Sequence, residues 1–402
     1  MSVGIVYREV SARLAEYLEL FGMEATAGPL RAMGQLVRGI VLTGSVQLTN
    51  AARLTAETPG QLAQTVKRLG EHLANPRWNH RAWMRAIVAE QVRDLGEDEL
   101  VPVDATELAK PYARKMQYQC TVRDASRPHE PLVPGYWCWG AYRWNPDTSV
   151  LRALALRPYS TEQPAFRSEN ATWGRLAWEL HQVMGEKGIW LSDRGADRPE
   201  VLSVWLRLRR RWIIRLREDR ALEGPDGQVR SAGAWADWAL THRPPLGRAV
   251  TLAVYLPRQD VAQEGPPVRL HLVVPTYRFG SGERWVLLTR GLIGQHTGPR
   301  QVRYDYAGRW RAEDGKRFLG QLWHVERFGV RSFLAQQRLL TCVVAAGGFL
   351  ARLQENEPEL AHTLENRLVY WDKPFLIPTY RLSHGILDVA RREGPPTLAV
   401  NA

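Results

Sequence analysis

Residues 99–106 read ELVPVDAT, an apolar run closed by an aspartate, and three more runs follow: QYQCTVRDA (117–125), PGYWCWGAYRW (134–144) and TSVLRALALRPYS (148–160). Each is apolar or β-branched and is bounded by Pro, Asp, Asn or Ser, the punctuation expected of β-strands. Next come a predicted helix over roughly 170–185, the short strand GIWLS (188–192), a helix over 199–210 and the strand WIIRLRE (212–218). Strands that open as a meander and then alternate with helices predict an α/β fold, a mixed sheet with helices packed on it.

Upstream, apolar positions recur at helical spacing in SARLAEYLELFG (11–22), PLRAMGQLVRGIVL (29–42) and GQLAQTVKRLGEHLAN (60–75). The polar segment SVQLTNAARLTAETP (45–59), followed by a helix with Lys67, Arg68 and His72, has the form of a helix-turn-helix DNA reader. Any small helical bundle shows the same pattern. Downstream, 218–300 is rich in Pro and Gly and holds AVTLAVYLPRQ, VRLHLVVPTYRF and RWVLLTRG, which read as an inserted β-rich subdomain. Helical periodicity returns over 306–353, and a tail with prolines at 374, 378, 395 and 396 closes the chain. The expected organisation is a helical domain (1–95), an α/β core in two parts (96–217 and 301–355), a β-rich insertion (218–300) and a C-terminal tail (356–402).

The chain has 402 residues, 45% hydrophobic and 24% charged, enough to bury a substantial core in two or three units and to exclude wholesale disorder. Lys and Arg total 54 against 42 Asp and Glu, a net charge of +12, so an acidic polymer is the first partner to consider. Arginine supplies nearly all of that excess, a bias that a GC-rich genome also produces. Cys120, Cys138 and Cys342 form no CxxC pair and no disulfide framework, which fits a reducing cytoplasm and argues against structural zinc. The charged N-terminal stretch is not a signal peptide, and no apolar run reaches the ~18 residues of a membrane span, so an intracellular protein without a membrane partner is expected. Neither GxxxxGK[ST], HExxH nor GxSxG occurs, which leaves ATP-dependent, zinc-peptidase and serine-hydrolase chemistry unsupported.

Asp104 and Asp193 each end an apolar strand, where a rigid support can present a carboxylate to solvent and metal. A turn or helix-capping role is the plain alternative for either, and for Asp197 ahead of Pro199. The segment YAGRWRAEDGKRFLG (306–320) places Tyr306, Arg309 and Glu313 on one stripe of an unbroken helix, with Arg317 and Gly320 continuing it. A carboxylate beside a guanidinium and a phenol suits a metal-bound phosphate; an ion-paired solvated face is the competing reading. The run RLRRRWIIRLREDR (207–220) holds seven arginines, Arg215 and Arg217 among them, and with Arg194 could line a DNA channel.

VDATELAKPYA (103–113), SDRGAD (192–197) and above all Tyr306-xx-Arg309-xxx-Glu313 resemble the three signature blocks of bacterial DDE insertion-sequence transposases of the Tyr-Arg-Glu-Lys family. The resemblance spans roughly residues 100–345. It implies an RNase H-like catalytic core in which Asp104, Asp193 and Glu313 bind two Mg²⁺, with Mn²⁺ as a substitute, for cleavage of the element's ends and strand transfer into target DNA. It implies double-stranded DNA with terminal inverted repeats, target DNA and a second copy of the chain on paired ends as partners, and a bacterial cytoplasm as location. The helical domain is expected to bind DNA ends. Tyr306, Arg309, Lys316 and Arg317 are expected at the DNA backbone, and Trp235, Trp238 or Trp285 against a flipped base. One departure stands out: the family's lysine position is Gly320 here, so Arg317 is expected to replace it at the phosphate. The alternatives are an impaired relic that only binds DNA, and a metal-dependent nuclease without strand transfer.

Overall fold

The computed structural model describes residues 2–23, 28–125, 127–258, 266–277, 283–294, 297–367 and 378–393; prolines 374, 395 and 396 of the tail lie outside the described residues. Five helices come first: α1 (Val3–Glu19), α2 (Pro29–Thr43), α3 (Leu48–Arg53), α4 (Pro59–Ala74) and α5 (Arg81–Gln91). Strands β1 (Leu100–Ala109), β2 (Cys120–Arg123), β3 (Leu132–Asn145) and β4 (Val150–Tyr159) follow, then α6 (Glu169–Met184), β5 (Ile189–Ser192), α7 (Pro199–Arg207) and β6 (Arg211–Arg215). After them come β7 (Ala221–Glu223), β8 (Val229–Ser231), α8 (Ala232–His242), β9 (Ala249–Val254), β10 (Leu270–Pro275) and β11 (Leu287–Arg290). The chain closes with α9 (Pro299–Ala307), α10 (Arg311–Arg317), α11 (Phe333–Asn356), α12 (Pro358–Glu365) and α13 (Pro378–Glu393). The fold is α/β with a mixed sheet, and the chain divides into two compact units: Met1–Arg93, Ala105–Phe166 and Glu313–Ala402 form one, Asp94–Asp104 and Arg167–Ala312 the other.

In the first unit, α2 buries Met33, Leu36, Val37, Ile40 and Val41, the i, i+3, i+4 stripe of an amphipathic helix. Pro29 opens it, and Gly44, with φ of 63°, ends it in the left-handed conformation. At the start of α4, the Thr58 hydroxyl accepts from the Gln61 N–H while the Gln61 side chain accepts from the Thr58 N–H, a reciprocal cap. Only Leu69 and Leu73 of α4 are buried, so most of that helix faces solvent. The long helix α11 is the core element: by length and composition it could cross a membrane, but 89% of that window is buried inside the protein, where it packs on β4, α2 and α4. Arg338 of α11 is fully buried, donating to the carbonyls of Leu73, Asn75 and Trp78 and lying over the Trp78 ring, so it collects the carbonyl end of α4. The long antiparallel hairpin β3–β4 pairs Trp137 with Tyr159 through Asn145 with Val150, and β2 pairs with the start of β3.

In the second unit, the first half of β1 runs parallel to β5, β5 parallel to β6, and β11, β10 and β9 continue the sheet antiparallel. Trp173 of α6, Trp190 of β5 and Trp205 of α7 are at most 1% exposed and touch at ring-centroid distances of 4.8–6.0 Å, which seats both crossover helices on the sheet. The strand order is β4–β3–β1 on one side of β1 and β1–β5–β6 on the other.

Two details depart from the sequence reading. The region after β6 supplies the expected strands, but it also contains the helix α8, capped by Ser231 and burying Trp235, Ala236 and Ala239. The helical stretch from 306 onwards is not one unbroken helix. A 3₁₀ turn at Gly308–Trp310 separates α9 from α10, a π-helical turn occupies Phe318–Leu322, and His324 with φ of 51° stands between them and α11.

Candidate active site

In the second unit, Leu100, Val101 and Pro102 of β1 lie opposite Ile189, Trp190 and Leu191 of β5. Continued by two residues, that register sets Asp104 beside Asp193 on neighbouring parallel strands, whose spacing is about 4.8 Å. Asp193 follows the last residue of β5, at the carboxyl end where an open α/β sheet presents its ligands. In contrast, β1 runs on to Ala109, so the expectation that Asp104 ends its strand is corrected: it lies in the middle of β1. The buried Arg309 guanidinium lies 3.6 Å from Asp104 Oδ2. Gly308 lets that turn come close: a Cβ there would meet Leu100 Cδ1 at 2.4 Å. Asp193 Oδ1 accepts from the Gly195 N–H at 2.8 Å, so Asp193 caps the turn that follows it as well as ending the strand.

Asp197 plays a different part from the capping role its position ahead of Pro199 suggested. Its side chain is fully buried; Oδ1 accepts from Arg220 Nε at 2.6 Å and Oδ2 from the Arg217 N–H at 2.8 Å, while its carbonyl accepts from Arg220 Nη2 at 2.9 Å. This anchors the loop that carries Asp193. Nothing in the spacing of residues 197 and 220 announces the pair.

Tyr306 is 3% exposed and packs edge-on against Trp285, ring centroids 5.0 Å apart. Burial pushes its phenol well above the ordinary range, Arg309 opposes that shift, and both Asp193 and Asp104 reinforce it. The expected DNA contact of Tyr306 is corrected accordingly: a ring held in the core against Trp285 does not reach a DNA backbone. Burial likewise pushes the neighbouring Asp305 carboxyl up to about 6.

In the first unit, Glu313 stands half-buried on α10 with Lys316 Nζ 3.7 Å from its Oε2. The same ammonium donates to the carbonyl of Ala105 at 2.9 Å, the residue after Asp104 in β1. Lys316 is thus an anchor between helix and strand, a role that displaces the DNA contact expected of it. Gly315 lies against Tyr142 of β3, where a Cβ would come within 2.5 Å of the ring, so only glycine lets α10 sit this close. Thr106, Glu107, Tyr142, Lys316, Gly320 and Glu326 line a small cleft of about 50 Å³. Arg317 and Gly320 are exposed. The π-helical turn alters the phase beyond Arg317, so the single stripe inferred from 3.6 residues per turn does not extend to position 320.

Among the described residues, no group of three His, Cys, Asp or Glu side chains stands close enough to hold a metal ion. Asp104, Glu313 and Asp193 are instead held by Arg309, Lys316 and a backbone N–H respectively.

The arginine-rich run is largely neutralised internally. Arg211 pairs with Glu97 and Asp98, Arg215 with Glu283, Arg217 with Asp197 and Asp219, and Arg220 with Asp197; the fully buried Arg210 donates to the Lys187 carbonyl. The DNA channel expected of Arg215 and Arg217 is therefore corrected to a set of ion pairs that fix β6. Arg194 is exposed. Trp235 is 1% exposed and its Nε1 donates to the Leu222 carbonyl, and Trp285 is also buried, so neither is a stacking platform. Trp238 is half-buried with its ring stacked on His242, centroids 4.8 Å apart.

No family model matches the chain. No curated protein matches it either. Among solved structures, the chain is similar to a piggyBac transposase in a cryo-EM synaptic complex with hairpin DNA, at TM-score 0.43 and 10% identity, the match covering 99% of this chain and 83% of that one.

Proposed function

We propose that the chain is a DDE-type DNA transposase, cutting the ends of an insertion sequence and joining them to target DNA by metal-dependent phosphoryl transfer. The observation that carries this reading is the parallel register of β1 on β5, Leu100–Pro102 opposite Ile189–Leu191, which continued by two residues would bring Asp104 next to Asp193. The Arg309 guanidinium, 3.6 Å from Asp104 Oδ2, supports it. Glu313 is proposed as the third carboxylate: it follows Arg309 by four residues, and Lys316 joins it to the backbone just beyond Asp104.

The donor types suit Mg²⁺ or Mn²⁺, since carboxylate oxygens are hard ligands and no cysteine or histidine is among them. The three carboxylates do not stand within reach of one ion in this structure, so their convergence is part of the proposal. Asp104, Asp193 and Glu313 would hold two such ions, which when bound stabilise the attacking and leaving oxygens of an in-line displacement. Arg309 offsets one negative charge and fixes the rotamer of Asp104; Asp197 and Arg220 fix the loop of Asp193. The exposed Arg317 would contact a non-bridging phosphate oxygen. Duplex DNA with terminal inverted repeats would meet α3 and α4, where Lys67 and Arg68 are exposed. Target DNA, a second copy of the chain on paired ends, and a cytoplasmic setting complete the proposal. Gly320, exposed where the family carries lysine, favours as second reading a relic that binds DNA without cutting it.

Incubating the full chain with Mg²⁺ and DNA carrying the element's own ends tests the reading. Joined product supports transposition, cut ends alone indicate a nuclease without strand transfer, and a gel shift without cutting indicates the relic.

A further inference from the structure

Among the described residues of the second unit, α9 carries two arginines, Arg300 and Arg303, close together with an exposed tyrosine. We infer that the outer face of α9, built from Arg300, Arg303 and Tyr304 with Tyr277 beside it, is a stacking site for an unpaired stretch of DNA strand. This rests on the reading of the chain as a DNA-processing enzyme and adds a partner conformation to it.

Tyr304 is 48% exposed, a large ring facing solvent on a charged helix. The Arg303 guanidinium lies 4.0 Å from its centroid and the Arg300 guanidinium 5.5 Å, so the ring is flanked by two cations. Arg303 also lies 5.3 Å from the Tyr277 centroid and donates to its hydroxyl, which holds the guanidinium in place. Among the described residues no carboxylate pairs with Arg300 or Arg303, whereas Arg211, Arg215, Arg217 and Arg220 are all paired. The same two guanidinia draw the Tyr304 phenol below its ordinary range. Cations beside an exposed aromatic ring suit a nucleic-acid strand, the guanidinia taking phosphates and the ring a base. A paired base has both faces covered by its neighbours in the duplex, so an unpaired base is the occupant that a single ring can stack on.

Fluorescence anisotropy of the full chain, without divalent cation, on a blunt duplex and on the same duplex with a single-stranded overhang tests the inference. Tyr304→Ala should weaken overhang binding about 5- to 100-fold and leave blunt-duplex binding unchanged, while Tyr304→Phe, which keeps the ring, should bind like the unaltered chain. Arg300→Gln should reduce the salt slope of overhang binding by about 0.7. Equal binding of the two substrates by every variant, or an equal loss on both with Tyr304→Ala, overturns the inference. Binding is read here without cutting, so the two proposals fail separately: a protein that shows the Tyr304-dependent overhang preference but never cuts refutes only the transposase reading. One that cuts with no such preference refutes only the role of α9.

Discussion

Replacing Asp197 by asparagine should destabilise the second unit by about 3–5 kcal/mol, the cost of leaving one member of a buried ion pair without its partner. The amide can still accept from the Arg217 N–H, but it cannot keep an anionic oxygen on Arg220, whose side chain is only 7% exposed and donates to Asp197 twice. For a unit of this size each kcal/mol moves the melting temperature by about 2–4 °C, so a drop of about 10 °C is expected. Urea unfolding followed by tryptophan fluorescence measures the change, since Trp173, Trp190 and Trp205 form the core of this unit. The double variant Asp197→Leu with Arg220→Met should recover most of the loss, because no charge is then left buried alone. A destabilisation below about 1 kcal/mol for Asp197→Asn, or a double variant no better than the single, would refute the assignment of Asp197 as the anchor of the Asp193 loop.

Four further outcomes are expected. Asp193→Asn should leave binding to the element's ends intact in a gel shift and abolish cutting; continued cleavage would remove the carboxylate from the mechanism. Arg338→Met should destabilise the first unit by about 3–5 kcal/mol, since it strands the buried carbonyls of Leu73, Asn75 and Trp78, and a melt unchanged within 2 °C would contradict that. Burial and Arg338 lower His80 to about 4, below the 6.5 of the unfolded chain, so its contribution to stability is complete above pH 6.5 and is lost as pH falls from there toward 4. His80→Phe should flatten that part of the stability–pH curve. A side chain at Gly320 meets nothing within 4 Å, so Gly320→Lys should leave stability unchanged or raise it by up to about 1 kcal/mol, and should steepen the salt dependence of DNA binding.

The alternation of strands and helices from ELVPVDAT to WIIRLRE was legible because each strand is a short apolar run with its own turn residues. Asp193 is visible as a carboxylate at a strand end, while Asp104 was read as ending β1 only because the polar residues after it hide the strand's continuation to Ala109. The pairing of the two strands was not legible, because register between β1 and β5 depends on contacts across more than eighty residues of intervening chain. The availability of the arginines was hidden for the same reason. Arg215 meets Glu283 and Arg220 meets Asp197 only once the chain is folded, so a run that reads as a basic stripe is internally neutralised. Helix α8 escaped because its apolar residues are alanine and tryptophan set among turn-forming neighbours. The phase of Glu313 and Gly320 was misjudged because a 3₁₀ turn and a π-helical turn interrupt a stretch whose composition reads as continuous helix.

The central claim is that Asp104, Asp193 and Glu313 act together on divalent cations. Electron paramagnetic resonance of Mn²⁺ titrated into the full chain bound to DNA tests it most directly. The account predicts two bound ions, with binding lost in Asp104→Asn, Asp193→Asn and Glu313→Gln alike. Stoichiometric Mn²⁺ binding that survives in Glu313→Gln, or an unaltered chain that binds none, would contradict it.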